Sequence, residues 1–115
     1  MFLGLRTVIY PAPDLAASKA WYSKVLGIEP YFDEPFYVGF DVGGYELGLN
    51  PDNDLAETYW GVEDIDAAFA ALLEAGAARR TPVTDVGGGI RVATLLEPSG
   101  AVLGIIENPH FRGGA

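Results

Sequence analysis

The sequence contains no cysteine and a single histidine, His110. Disulfides, thiolate metal sites and cysteine nucleophiles are therefore excluded. Cations are also scarce, with 7 Lys and Arg against 16 Asp and Glu, a formal net charge of −9. Nucleic acid and anionic membrane would both be repelled unless the cations gathered into a patch. They are scattered, and the closest pair is Arg79–Arg80. No apolar run approaches the roughly 20 residues of a membrane-spanning helix. Met1–Tyr10 carries one arginine, no long apolar stretch and no cleavage-like site, which reads as no signal peptide. The expectation is a cytoplasmic protein with neither nucleic acid nor membrane as partner.

What is present suits one globular domain. The chain has 115 residues, enough for a single core, and 50% of them are hydrophobic. The 15 glycines and 8 prolines imply many turns and a strand-rich chain. Two segments have helical spacing. The first runs from Asp14 to Leu26, with Leu15, Tyr22, Val25 and Leu26 on one face, Asp14 as N-cap and Gly27 as the left-handed stop. The second runs from Asp64 to Ala75, with Ile65, Phe69, Leu72 and Leu73 as its stripe and Gly76 beyond it. Strands are predicted at 5–10, 29–33, 36–42, 45–50, 57–62, 78–85, 90–96 and 101–107. The order is strand, helix, three strands, written twice, with Asp14 and Asp64 as equivalent caps. Module one spans about 3–50, module two about 57–108, residues 50–56 link them, and 109–115 form a frayed tail.

Strand parity sorts side chains onto faces. With Gly43-Gly44 as a two-residue hairpin turn, Val42 faces Tyr45, Asp41 faces Glu46, Phe40 faces Leu47 and Gly39 faces Gly48. Val38, Phe40, Val42, Tyr45, Leu47 and Leu49 then form an apolar face to pack on the helices. Tyr37, Gly39, Asp41, Glu46 and Gly48 form a face too small and too charged for a core layer. The turn Glu97-Pro-Ser-Gly100, read with Leu96 opposite Ala101, puts Arg91, Ala93, Val102 and Gly104 on one surface. Small inner residues on a curved sheet leave room for a ligand. Solvent-facing edges give the same pattern, but its appearance in both modules favours a shared hollow. The run Gly87-Gly-Gly89 lacks the lysine and helix of a phosphate loop and reads as a hairpin turn or lid.

The doubled module, the segment Tyr10-Pro-Ala-Pro-Asp14-Leu with Trp21-Tyr22 and Leu26-Gly27, and Glu97-Pro-Ser-Gly100 before a last apolar strand resemble the vicinal oxygen chelate superfamily. That superfamily holds glyoxalases, extradiol dioxygenases and bleomycin resistance proteins. The resemblance implies an α+β fold in which two βαβββ modules form a partly open mixed β-sheet barrel with helices outside. It also implies a homodimer, since free sheet edges need cover. In the enzymes it implies a divalent metal held by the first strand of each module and the last strand of each. Those positions here are Thr7, Glu46, Glu57 and Gly104. Two can ligate strongly and two cannot. A metal would need Asp41 to join Glu46 and Glu57 in an all-oxygen site suited to Mg²⁺, Mn²⁺ or Ca²⁺. Glu107, three residues past Gly104, belongs to the other side of its strand.

The reading that follows is a small-molecule-binding member of the superfamily without the usual metal site or other cofactor, whose acidic groove takes a cationic or polar compound. The alternative is a divalent-metal-dependent lyase, isomerase or dioxygenase working through Glu46 and Glu57. Ligand contacts are expected from Thr7, Tyr37, Asp41, Glu46, Glu57, Tyr59, Arg91 and Gly104. Glu46 and Glu57 are the candidate acid–base groups. Arg91 either holds an anionic ligand or serves an internal salt bridge. Tyr10 and Trp60 either wall the ligand or belong to the core.

Overall fold

The structure of the protein, a computed structural model, describes residues 1–111. Ten elements follow in chain order: β1 (Phe2–Pro11), α1 (Leu15–Leu26), β2 (Phe32–Glu34), β3 (Tyr37–Val42), β4 (Tyr45–Asn50), β5 (Glu57–Val62), α2 (Ile65–Glu74), β6 (Ala78–Asp85), β7 (Arg91–Leu96) and β8 (Val102–Glu107). The strands form one mixed sheet in the order β2-β3-β4-β1-β5-β8-β7-β6, which does not close on itself. The repeated βαβββ pattern and the α+β class are as expected. The chain divides into two compact units, and β1 is split between them. Residues 1–6 group with 57–111, and Thr7–Ala56 form the other unit.

In the Thr7–Ala56 unit, Asp14 caps α1 by accepting from the Ala17 amide at 3.1 Å, and Gly27 ends it at φ 70°. β1 runs parallel to β4, with Thr7 beside Glu46. The β3–β4 hairpin has the register that Gly43-Gly44 dictates, pairing Asp41 with Glu46 and Gly39 with Gly48. Both turn glycines have positive φ, 62° and 89°, which other residues rarely adopt. The core is Ala12, Val38, Phe40 and Leu49, with Leu15, Tyr22, Leu26 and Leu47 packed against it. Three expectations fail here. Val42 and Tyr45, at the hairpin tip, are exposed, and Val25 is exposed on α1. β2 begins at Phe32 rather than Glu29. Pro30 has no N–H to donate, and the Tyr31 amide makes the first bond, to the Gly39 carbonyl at 3.0 Å.

In the other unit, Asp64 caps α2 through the Ala67 amide at 3.1 Å. Ile65, Ala68, Phe69 and Leu72 of α2 bury against Val62, Ala93, Leu95 and Ile105. β5 is parallel to β8, with Tyr59 beside Gly104. The β7–β8 register differs by one residue from the sequence reading, with Leu96 opposite Val102 and Thr94 opposite Gly104. The cause is the loop. Glu97 and Ala101 still bond to each other, and Gly100 has φ 94°, so three residues rather than four make the turn. A one-residue slip exchanges the faces of a strand. Ala93 is therefore core, and Arg91 stands on the helix side. Pro109 and His110 lie in a turn, where the His110 ring sits 2.7 Å from the Gly88 carbonyl of the triple-glycine turn. The tail at 112–115 lies outside the described residues.

Candidate functional site

Each unit carries its own polar cluster on the sheet face away from its helix. In the Thr7–Ala56 unit the centre is Glu46. Its Oε1 accepts from the Tyr37 hydroxyl at 2.9 Å, and its Oε2 accepts a short hydrogen bond from the Tyr31 hydroxyl. The glycines opposite each other, Gly39 and Gly48, make this possible. A Cβ on Gly48 would lie 1.9 Å from the Tyr37 oxygen, and one on Gly39 would lie 2.7 Å from the Glu46 carboxylate. Tyr31 exposes 63% of its surface, yet its hydroxyl end is turned in against Glu46. That burial, then the hydrogen bond and the negative charges of Glu46 and Asp41, hold its phenol above the ordinary value near 10. Phe32 packs edge-on to Tyr37, with ring centroids 6.0 Å apart. Thr7 lies beside Glu46 in register and is buried. Asp41 is opposite Glu46, and its Oδ1 accepts from the Gly44 amide at 2.8 Å, which pins the hairpin turn.

In the second unit the centre is Glu57, which is buried. Its Oε1 accepts from Tyr59 at 2.9 Å, and its Oε2 accepts from Arg80 Nη1 at 2.9 Å. The same Nη1 donates to Thr94 Oγ1 at 3.2 Å, and Thr94 is linked to Thr81 at 2.6 Å. Burial, then the charge of Glu57 and the hydrogen bond to it, raise the Tyr59 phenol against a smaller opposing effect of Arg80. The Tyr59 ring lies directly on Gly104, where a Cβ would come within 2.6 Å of it.

Strand parity placed Glu46 on one face with Asp41 and Tyr37, and the structure brings Glu57 together with Tyr59. Parity misplaced Arg91. That guanidinium donates from Nη1 to Asp66 at 3.0 Å and from Nε and Nη2 to Glu107, on the α2 side. The hydrogen bonds to Asp66 and Glu107 raise its pKa further. Glu107 also accepts from the Ile65 amide at 3.0 Å, so the pair braces the start of α2. Arg91 serves an internal ion-pair network. Tyr10 stacks towards Tyr22 with centroids 6.4 Å apart, and Trp60 against Phe2 at 4.9 Å. Tyr31, Arg80 and Thr94 were missed. Tyr31 precedes its strand, and Arg80 reaches Glu57 through a strand irregularity that spacing does not reveal.

These residues do not fit the divalent metal that the resemblance implies for its enzymes. Thr7 offers only a neutral hydroxyl, and Gly104 offers no side chain. A longer residue at 104 would have to displace the Tyr59 ring. A guanidinium already occupies one oxygen of Glu57, and two phenols occupy Glu46. No group of three or more His, Asp or Glu side chains is gathered for a metal ion among the described residues. No helix among them is long and apolar enough to cross a membrane.

Comparison with known proteins bears on the fold. The chain resembles methylmalonyl-CoA epimerase of Streptomyces coelicolor, solved as a variant with 2-nitronate-propionyl-CoA. The TM-score is 0.77 at 16% identity, over 98% of this chain and 99% of that one. It resembles a glyoxalase/bleomycin resistance protein/dioxygenase superfamily member from Vibrio splendidus 12B01, with a TM-score of 0.68 at 17% identity, over 90% and 97%. It also resembles the Mn(II)-bound glyoxalase of Novosphingobium aromaticivorans, with a TM-score of 0.73 at 22% identity, over 92% of this chain and 39% of that one. No curated protein matches in sequence. The model of one family matches residues 4–105, nearly the whole of both modules. With that match and this fold, the chain belongs to the Glyoxalase/Bleomycin resistance protein/Dioxygenase superfamily.

Proposed function

We propose that this protein binds a small organic cation, without a metal, on the face that carries Glu46. The observation that supports the reading is the carboxylate held by two phenols above paired glycines. Both hydrogen bonds to the Glu46 carboxylate come from neutral donors, and no Lys or Arg is bonded to it among the described residues. Asp41 adds a second negative charge across the hairpin. The rings of Tyr31 and Phe32 are exposed beside it. Aromatic faces near a carboxylate attract a quaternary or planar cation, each contact contributing about 0.5–2 kcal/mol. A protein of net charge −9 also draws cations towards it.

The test is a thermal-shift and calorimetric titration with benzyltrimethylammonium, with benzyl alcohol as the uncharged control. Binding of the cation alone, weakened about tenfold in Glu46→Gln, is the expected result. Stabilisation by Mn²⁺, Ni²⁺ or Zn²⁺ that disappears in Glu46→Ala would overturn the reading in favour of a metal-dependent enzyme.

A further inference from the structure

The second unit offers a site of the opposite sign. β6 carries an irregularity between Arg79 and Thr81, which pair with the adjacent residues Leu95 and Thr94. Arg80 is thus the extra residue of a bulge, a device that re-aims side chains in strands. Arg79 points towards the helix side, 5.4 Å from the Phe69 ring. Arg80 and Thr81 both reach Thr94, on the Glu57 face. The bulge therefore turns a guanidinium out of the ion-pair pattern of an ordinary strand and onto the face that Tyr59 and Gly104 share.

The guanidinium is also half used. Its Nη1 is fixed by two buried acceptors, Glu57 and Thr94. The N–H groups of Nε and Nη2 donate to no protein group among the described residues. The side chain is 29% exposed. Arg91 shows what a structural arginine looks like in the same chain, with all three nitrogens bonded to carboxylates. A second cation stands on the Glu57 face. The Arg6 guanidinium lies over Gly61, within 2.7 Å of where a Cβ would be, and 3.8 Å from the centre of the Phe111 ring. Arg6 has no carboxylate partner among the described residues. Glu57 and Gly61 are about 13 Å apart along β5. Two guanidinium charges against one carboxylate leave this face positive in an acidic protein.

We propose that Arg80 is an oxyanion-binding residue, held in place by Glu57 and Thr94, that presents its Nε and Nη2 edge to a carboxylate or phosphate group of a small ligand. The planar fork matches two oxygens of either group. Prior fixation of the side chain removes much of the ordering cost of binding. The proposal rests on the reading of the chain as a small-molecule binder but uses a different residue and a ligand of opposite charge.

Benzoate and inorganic phosphate, each titrated at constant ionic strength against chloride, test it by calorimetry and by NMR shifts of the backbone amides of β6 and β7. Saturable binding by the wild type is expected, with shifts centred on Arg80 and Thr94. Preference for benzoate or for phosphate tells which oxyanion the site takes. Arg80→Lys keeps the charge but loses the fork, and weakens binding about tenfold. Glu57→Gln keeps one oxygen to accept from Arg80, and its amide N–H can donate to the Tyr59 oxygen, while the competing charge is removed, so it tightens binding several-fold. That gain keeps the idea testable should Arg80 variants fold poorly. Absence of saturable binding by both anions, or unchanged affinity in Glu57→Gln, overturns it. Failure of the cation titration at Glu46 leaves these outcomes unaffected, so the two ideas fall separately.

Discussion

Gly104→Ala is a sharp probe of how the Glu57 cluster is built. The backbone at Gly104 is in an ordinary strand conformation, so the substitution carries no conformational penalty of its own. The added methyl instead meets the Tyr59 ring at its Cδ2, Cε2 and Cγ atoms, at 2.6, 2.8 and 2.8 Å. Contact at Cγ, next to the backbone, means the ring cannot escape by a small swing. Tyr59 is only 8% exposed, so neighbours oppose its movement. Overpacking of this kind costs about 1–3 kcal/mol. Displacing the ring also breaks the Tyr59–Glu57 hydrogen bond, leaving a buried carboxylate short of a donor, for about 1–3 kcal/mol more. The sum, about 2–6 kcal/mol, is a large part of the 5–15 kcal/mol of a domain near this size. It corresponds to a fall in Tm of about 8–24 °C. Urea denaturation followed by tryptophan fluorescence measures it, with Trp60 next to Tyr59 as a reporter. Tyr59→Ala should absorb the effect, since the double variant has no ring to clash with. The expected result is a double variant about as stable as Tyr59→Ala alone. A cost below about 0.5 kcal/mol for Gly104→Ala, or strict additivity of the two, would refute the packing argument.

Gly48→Ala meets only the far end of Tyr37, which can swing aside, so its cost should stay nearer 1–2 kcal/mol and its main effect should be weaker benzyltrimethylammonium binding, read by calorimetry. Because the folded-state pKa of Tyr59 is raised above the unfolded value near 10, its contribution is complete below that pH and is lost as pH rises past it. The wild type should therefore lose stability above about pH 10, and Tyr59→Phe should flatten that loss in Tm-versus-pH curves. Asp64→Ala removes the α2 cap and should lower stability by about 1 kcal/mol in the same urea assay.

Much of this architecture can be read from local chemistry. Asp14, Gly27 and Asp64 mark helix ends because capping involves only residues within a turn of each other. Gly43-Gly44 fixes the β3–β4 register for the same reason, and that register alone brings Glu46 opposite Asp41 and Gly39 opposite Gly48. The doubled pattern of Asp14 and Asp64 led to the fold class and to the superfamily. Arg91 was placed wrongly because a loop of three residues and one of four look alike until the φ of Gly100 is known, and the difference turns every side chain of β7 over.

The caps, the hairpin of module one, the repeat and the shortage of metal ligands at Thr7 and Gly104 are legible in the residues alone, since each depends on residue identity and near neighbours. Tertiary structure alone decided that Tyr31 would close on Glu46, that Tyr59 would fill the space above Gly104, and that a bulge would hand Arg80 to Glu57 and Thr94. Those contacts join residues 15, 45 and 23 positions apart. They depend on strand register and packing, which no local rule of spacing contains.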